Sequence, residues 1–425
     1  MTDKTQPDYI NTFTPLLVTL LIQSFSALGL MAVPVLIPVE PGPPRLTPAG
    51  IGLYLLCAYA GAVLGSLSAG ALVDRWGAIR TSQCALLLTA AGLSLAALYP
   101  GALLLAAALI GMGYGPITPA SSHVLIHTTP VKRLNLVFSI KQTGVPVGVA
   151  LSGFCIPPLA ITGWMWTLLI LALACVAVAA SALPIQAPLD AQTSQRISPA
   201  APGGVSLRFL LRQLLEPLAV IFEHRQLRTL AAVSFVLSGI QISFTSYLVS
   251  YLKTGLLMSA IAAGFLLALS QLGGVLGRIV WGYLSDHFIR PLSMLALLSL
   301  VIALACLATG GLVLWPASPP RWVLAALLFV FGASASGWNG VYLAEVARQA
   351  PPGTVSKATS GTLACTFLGV IAGAPLFGLI VNGPGGFTAA FGLEAVLALG
   401  VALLLFSFRK RSALPAEPLS PAEKV

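Results

Sequence analysis

Runs of mostly apolar residues, each near the ~20 that an α-helix needs to cross a hydrocarbon layer, recur along the whole chain. In order they cover Pro15–Val39, Gly50–Val73, Thr81–Tyr99, Gly101–Ile126, Leu136–Ile161 and Trp164–Leu183, then Leu230–Leu252, Met258–Leu284, Leu292–Leu314, Trp322–Val346, Val355–Val381 and Phe387–Phe408. Numbered as spans 1 to 12, they predict an all-α polytopic membrane protein of two six-helix bundles. The polar stretch Pro184–Thr229 separates the halves. Its first part, with Pro199, Pro202, Gly203 and Gly204, reads as flexible linker. Within it, Ser206–Glu216 sets Arg208 and Arg212 among leucines, the pattern of a short helix on the membrane surface or of a solvated loop helix. The expected division is 1–184, an N-terminal bundle; 185–229, a cytoplasmic linker; and 230–425, a C-terminal bundle with a cytoplasmic tail.

Composition removes the soluble alternative. Hydrophobic residues make up 57% of the chain and charged ones 8%, whereas a soluble domain carries about 25% charge. The net charge of +10 does not form a basic stripe suited to nucleic acid; the cations sit singly or in small groups between apolar runs. They read as topology signals. With both termini in the cytoplasm only Arg45, Lys253 and Arg321 fall outside, and Lys141 and Arg278 lie within spans. The first apolar run is too long for a signal-peptide core, so span 1 is expected to stay in the mature protein. All six cysteines fall in apolar runs with no CxxC pair, as free packing thiols do.

Span 2 ends Gly61-Ala-Val-Leu-Gly65-Ser66, then Gly70, Leu72 and Asp74; span 8 ends Gly273-Gly-Val-Leu-Gly277-Arg278, then Gly282, Leu284 and Asp286. The two align without a gap at an offset of 212 residues, about half the chain, which indicates a duplicated six-helix unit. The segment Gly70-Ala-Leu-Val-Asp74-Arg75-Trp-Gly77-Ala-Ile-Arg80 resembles the G-x-L-x-D-R-x-G-x-R loop signature of the major facilitator superfamily, with Arg80 one place late. Gly282, Asp286 and Arg290 resemble its weaker second copy, with His287 where the first has Arg75. The resemblance implies six spans, a linker and six spans, secondary transport by alternating access, and a central cavity lined by spans 1, 4, 7 and 10. In physical terms, Gly70 is expected to let span 2 approach a neighbour. Asp74 is placed to accept hydrogen bonds from amides at a helix N-terminus across the bundle interface, while Arg75 and Arg80 supply charge pairs that break as the halves rock.

A charge inside a span is a functional-site hypothesis. Arg278 lies eight residues before Asp286, about 12 Å inward along a helix, on a stripe of Ser270, Gly274, Gly282 and Asp286 whose glycines leave the guanidinium room. A planar fork of donors suits carboxylate or phosphate, and Gly-Arg at this place resembles the oxalate/formate and monocarboxylate carriers of the superfamily. Lys141 opens Lys141-Gln142-Thr143-Gly144-Val-Pro146-Val-Gly148, where proline and glycines weaken the helix. It either faces the cavity or snorkels to the interface. Facing the cavity together, Lys141 and Arg278 form a two-point clamp for an organic anion. Further cavity candidates are Gln23, Tyr114, Ser121, Gln142, Gln241, Tyr247, Trp338, Asn339 and Tyr342. Glu345 and Glu394 are the acids within spans, both placed near helix ends; Glu345 is either a coupling group or a surface partner of Arg348.

His123 and His127 lack a third ligand, so no metal is expected, and no cofactor motif is present. No nucleophile with a base and no P-loop appears, which argues against an enzyme or an ATP-driven pump; a sensor would carry a soluble domain. The faint resemblance of Gly144–Gly148 to an antiporter motif keeps a proton-coupled drug antiporter as the alternative. The expected partners are a small anionic substrate, a coupling proton and the lipid bilayer, with the protein a monomer.

Overall fold

The computed structural model describes residues 13–40, 48–129, 137, 140–194, 219–314, 320–351 and 355–412. Among them there is no strand. Spans 1 to 3 are Phe13–Leu36, Pro48–Trp76 and Ala78–Leu98. Span 4, read as one apolar run, is broken into Leu103–Tyr114 and Ile117–Thr128. Pro116 explains the break, because its ring removes a backbone donor and crowds the preceding turn. Spans 5 and 6 are Gly144–Leu159, preceded by a helical turn at 140–142, and Trp164–Ser181. Spans 7 to 12 are Arg225–Ser250, Ala260–His287, Pro291–Gly311, Arg321–Gln349, Val355–Val381 and Gly386–Ser412. Eleven of these are long and apolar enough to cross a membrane, and span 2 holds a shorter apolar stretch, Gly50–Ser66. At the edges of the polar stretch Leu183–Ser194 forms a helix and span 7 begins at Arg225. Ser206–Glu216 lies outside the described residues.

The glycines of the repeat explain themselves as helix contacts. In the first half, a Cβ on Gly61 would lie 2.2 Å from the Ala108 carbonyl and one on Gly65 2.4 Å from that of Met112, so span 2 and span 4 touch backbone to backbone. In the second half, Gly273 and Gly277 meet the carbonyls of Phe329 and Ala333 at 2.3 and 2.2 Å, and span 8 rests on span 10 in the same way. Lipid supplies no hydrophobic drive between helices, so close packing of small residues carries the association.

Between the halves, span 5 packs on span 8 and span 2 on span 11. Both seams include close approaches toward the end of the bundle away from the chain termini, the far face. There a Cβ on Gly264 would lie 2.1 Å from the Gly153 carbonyl, and one on Gly52 would lie 2.6 Å from Pro375 Cα. Lys253 Nζ adds a hydrogen bond to the Val39 carbonyl at 3.1 Å, tying the end of span 7 to the end of span 1. At the opposite face a Cβ on Gly70 or Gly282 would meet no atom of a described residue within 4 Å, so among the described residues no helix approaches closely at Gly70.

Candidate functional site

Arg278 sits where three spans converge. Its Nε donates to the Ser336 carbonyl of span 10 at 3.0 Å, and its Nη1 donates to the Gln142 carbonyl ahead of span 5. Tyr114 of span 4 lies within electrostatic reach. The guanidinium thus bridges the halves through main-chain acceptors, and no carboxylate of a described residue pairs with it. Gly274 brings span 8 against Ser336, a Cβ there lying 2.8 Å from the serine Cβ, while Gly282 faces open space.

Lys141 is 0% exposed and its ammonium has no hydrogen-bond partner among the described residues. Snorkelling is excluded for this conformation. The reason lies in the glycines that follow, which by sequence alone read as helix-weakening. They instead seat span 5 on span 1, with a Cβ on Gly148 only 2.0 Å from the Ser24 carbonyl and one on Gly144 3.0 Å from the Gln23 side chain. Gln23 is wholly buried; Thr118 of span 4 donates to its Oε1 at 3.2 Å and its Nε2 has no partner. A third cluster lies between spans 7 and 10. Gln241 Oε1 accepts from Trp338 Nε1 and from Asn339 Nδ2, both at 3.2 Å, and the Trp338 ring meets Tyr342 edge to face at 5.2 Å.

Span 5 therefore carries Lys141 beside the Gln142 carbonyl that binds Arg278, and span 10 carries Ser336 two residues before Trp338. An unpaired buried ammonium is costly in a low-dielectric interior. An acceptor-rich guest offsets that cost by meeting donors the protein leaves unmet. Ser121 and Tyr247 fall outside this grouping, the first bonded to its own helix at Ile117 and Thr118, the second to Ala374 at the far face.

The loop that carries the signature leads into span 3. Span 3 begins at Gly77, whose φ of +91° favours glycine. Its first amides, Ile79 and Arg80, donate to the Asp190 carboxylate at 2.9 and 3.1 Å, and a Cβ on Gly77 would lie 2.2 Å from the Asp190 Cγ. These amides at the start of the helix are met by an acid from the connecting helix. Burial raises the Asp190 carboxyl above its ordinary range, against the pull of those amides and of Arg80. With its amide oriented to satisfy its neighbours, Gln186 accepts from Arg80 Nε at 2.9 Å and donates to Gln83 at 2.9 Å. Sequence reasoning missed Asp190 and Gln186. The side chains of Asp74 and Asp286 lie outside the described residues, as does that of His127; Arg75 is exposed, and Arg290 is exposed at the start of span 9. Glu345 is buried but engaged, accepting from Gln349 at 2.7 Å with Arg348 at 3.8 Å. Among the described residues no three metal-ligating side chains converge.

Two repeated six-span halves, sealed by glycines at one face and holding uncompensated donors where they meet, define a membrane carrier. The family model described as Major Facilitator Superfamily matches residues 10–337 and, in a second overlapping match, 235–425. The chain belongs to this superfamily and is a secondary transporter rather than an enzyme. Its fold is similar to that of the nucleoside transporter NupG, with 15% identity, a TM-score of 0.71 and coverage of 94% of this chain and 99% of that one. A D-xylose-proton symporter gives 15%, 0.71, 94% and 98%. A POT family transporter in complex with 5-aminolevulinic acid gives 13%, 0.71, 94% and 96%. No curated protein matches at the level of sequence.

Proposed function

We propose that the protein moves a small organic anion, a carboxylate, across the cell membrane by alternating access. The observation that supports this reading is that Arg278 is hydrogen-bonded to the main-chain carbonyl of Gln142, the residue after Lys141, whose buried ammonium has no hydrogen-bond partner among the described residues. A carboxylate supplies the missing negative charge and acceptor lone pairs to both, and the unfilled Gln23 Nε2 adds a third donor. Because Arg278 belongs to one half and Gln142 to the other, an anion that draws the guanidinium away from the Gln142 carbonyl also loosens the contact between the halves.

In this reading residues 1–184 and 230–425 rock as two bodies joined by 185–229, with both termini in the cytoplasm and the monomer as the working unit. The test is ligand-induced thermal stabilisation of the purified protein in detergent, screening oxalate, formate and lactate beside neutral sugars and lipophilic cations. Stabilisation by a carboxylate that disappears in Lys141→Ala and Arg278→Ala supports the clamp. Stabilisation by sugars or cations, unchanged in both variants, removes the anion assignment and leaves the transporter class.

A further inference from the structure

The anion clamp leaves one polar cluster of the interior without a role, the one that Gln241 of span 7 makes with Trp338 and Asn339 of span 10. Its orientation is set by chemistry. An indole N–H only donates, so the atom of Gln241 that meets Trp338 Nε1 at 3.2 Å is the oxygen, Oε1. The same oxygen meets Asn339 at 3.2 Å, so Asn339 turns its nitrogen, Nδ2, toward it. Trp338 is wholly buried and lies edge to face with Tyr342, which holds the indole in place. One buried donor thereby fixes two amides in sequence.

What the two amides turn away from the cluster follows from this. Gln241 presents Nε2, with two N–H donors, and Asn339 presents Oδ1, an acceptor; neither atom makes a hydrogen bond to a described residue. Both residues are half-buried near the middle of their spans. The outer face of span 7, marked by the exposed Ala232 and Phe235, lies on the other side of the helix from Gln241. Holding span 7 to span 10 accounts for the three inner atoms and leaves this donor and acceptor unmet at a depth where lipid can satisfy neither. The edge also stands close to the clamp. Asn339 is one turn after Ser336, whose carbonyl holds Arg278, about 4.5 Å along the helix axis.

A donor beside an acceptor is the complement of a primary amide, whose own C=O and N–H lie side by side and meet both atoms at once. A second carboxylate satisfies the Gln241 donors but sets its lone pairs against the Asn339 oxygen, and an apolar end leaves both amides unpaired. We propose that the carried anion is bifunctional, with a carboxylate taken by Lys141 and Arg278 and, a few bonds away, an uncharged amide group read by Gln241 Nε2 and Asn339 Oδ1. Gln241 and Asn339 are then specificity-determining residues. Trp338, which acts through Gln241, is a positioning residue. The assignment rests on the carboxylate reading above and narrows it; plain acids still reach the clamp, with lower affinity.

The test is a thermal-shift titration of the full-length protein in detergent with three acids of one shape: succinamate, its apolar isostere isocaproate, and succinate. Malonamate, isovalerate and malonate repeat the comparison one carbon shorter. At least one amide acid should bind about tenfold tighter than its apolar isostere, the effect of two added hydrogen bonds, and tighter than the matching diacid. Asn339→Leu, which keeps the volume and loses Oδ1, should bring the pair together by weakening the amide acid alone. Trp338→Phe keeps a ring against Tyr342 and loses the N–H that orients Gln241, so the same ratio should shrink while affinity for the apolar acid holds. A role in packing alone would weaken both acids alike. Equal binding of amide acid and isostere by the wild type, or a preference that persists in both variants, overturns the assignment; the clamp then still stands if the acids lose binding in Arg278→Ala. Absence of binding by every acid overturns the clamp and this assignment together.

Discussion

Replacing Lys141 with methionine keeps most of the packing of its stem and removes an ammonium that no described residue meets with a hydrogen bond. We therefore expect Lys141→Met to leave the melting temperature of the unliganded protein level or higher, as removal of buried charge often does, while abolishing stabilisation by carboxylates. A marked loss of unliganded stability, read by differential scanning fluorimetry, would instead assign Lys141 a structural partner. Arg278→Lys keeps the charge but not the planar fork that reaches Ser336 and Gln142 together. It should cost about 1.5–3 kcal/mol, the worth of one hydrogen bond to a charged group, in chemical denaturation. At the loop, Asp190→Ala should cost about 0.5–2 kcal/mol, the value of a lost helix cap, and Gly77→Ala more, because it adds a clash with Asp190 to an unfavourable φ. Since Asp190 is raised, the folded protein holds its proton more tightly than the unfolded chain does. Its contribution is then full below the ordinary carboxylate range and fades as pH climbs through the raised value; Asp190→Asn should flatten that slope and keep most of the cap. Lys141 and Arg278 stand out in the sequence because charge is rare in apolar runs. Asp190 was not, because it sits in a polar stretch and its partners lie 111 and 110 residues earlier in the chain.

Among the elements, the spans and their repeat could be read almost entirely from apolar length and the 212-residue offset. The offset pairs Gly61 with Gly273 and Gly65 with Gly277, and these pairs are the backbone contacts that hold span 2 to span 4 and span 8 to span 10. The break in span 4 escaped because hydropathy counts Gly115 and Pro116 as neutral interruptions, whereas the helix feels a missing donor. The seams between halves were equally invisible, since nothing local distinguishes a glycine facing its own bundle from one facing the other. That difference makes a prediction. Gly264→Leu places a side chain where the Gly153 carbonyl already lies 2.1 Å from a Cβ, so it should push spans 5 and 8 apart at the far face without unfolding either half. Hydrogen exchange by mass spectrometry should then rise at the far ends of spans 5, 8, 2 and 11 while the span 2–span 4 contact stays protected. Unchanged exchange at the far face would mean the seam accommodates the side chain and is not the gate.

For the molecule as a whole, the two-body reading predicts that the connection between halves is dispensable once they have assembled. A protease site placed at Gly203–Gly204, in the polar stretch, should leave the cleaved halves migrating together on size exclusion in detergent, held by the span 5–span 8 and span 2–span 11 contacts. Fold class was legible at this scale because the bilayer leaves so few architectures open to a chain with 57% hydrophobic residues. Substrate was not, since specificity rests on where a handful of donors point after folding. The most direct measurement of the central claim is counterflow of radiolabelled oxalate, formate and lactate into proteoliposomes preloaded with the same unlabelled acid, for the wild type, Lys141→Ala and Arg278→Ala. The account predicts exchange of at least one of these anions by the wild type and its loss in both variants. Exchange that persists undiminished without Lys141 and Arg278 would contradict it.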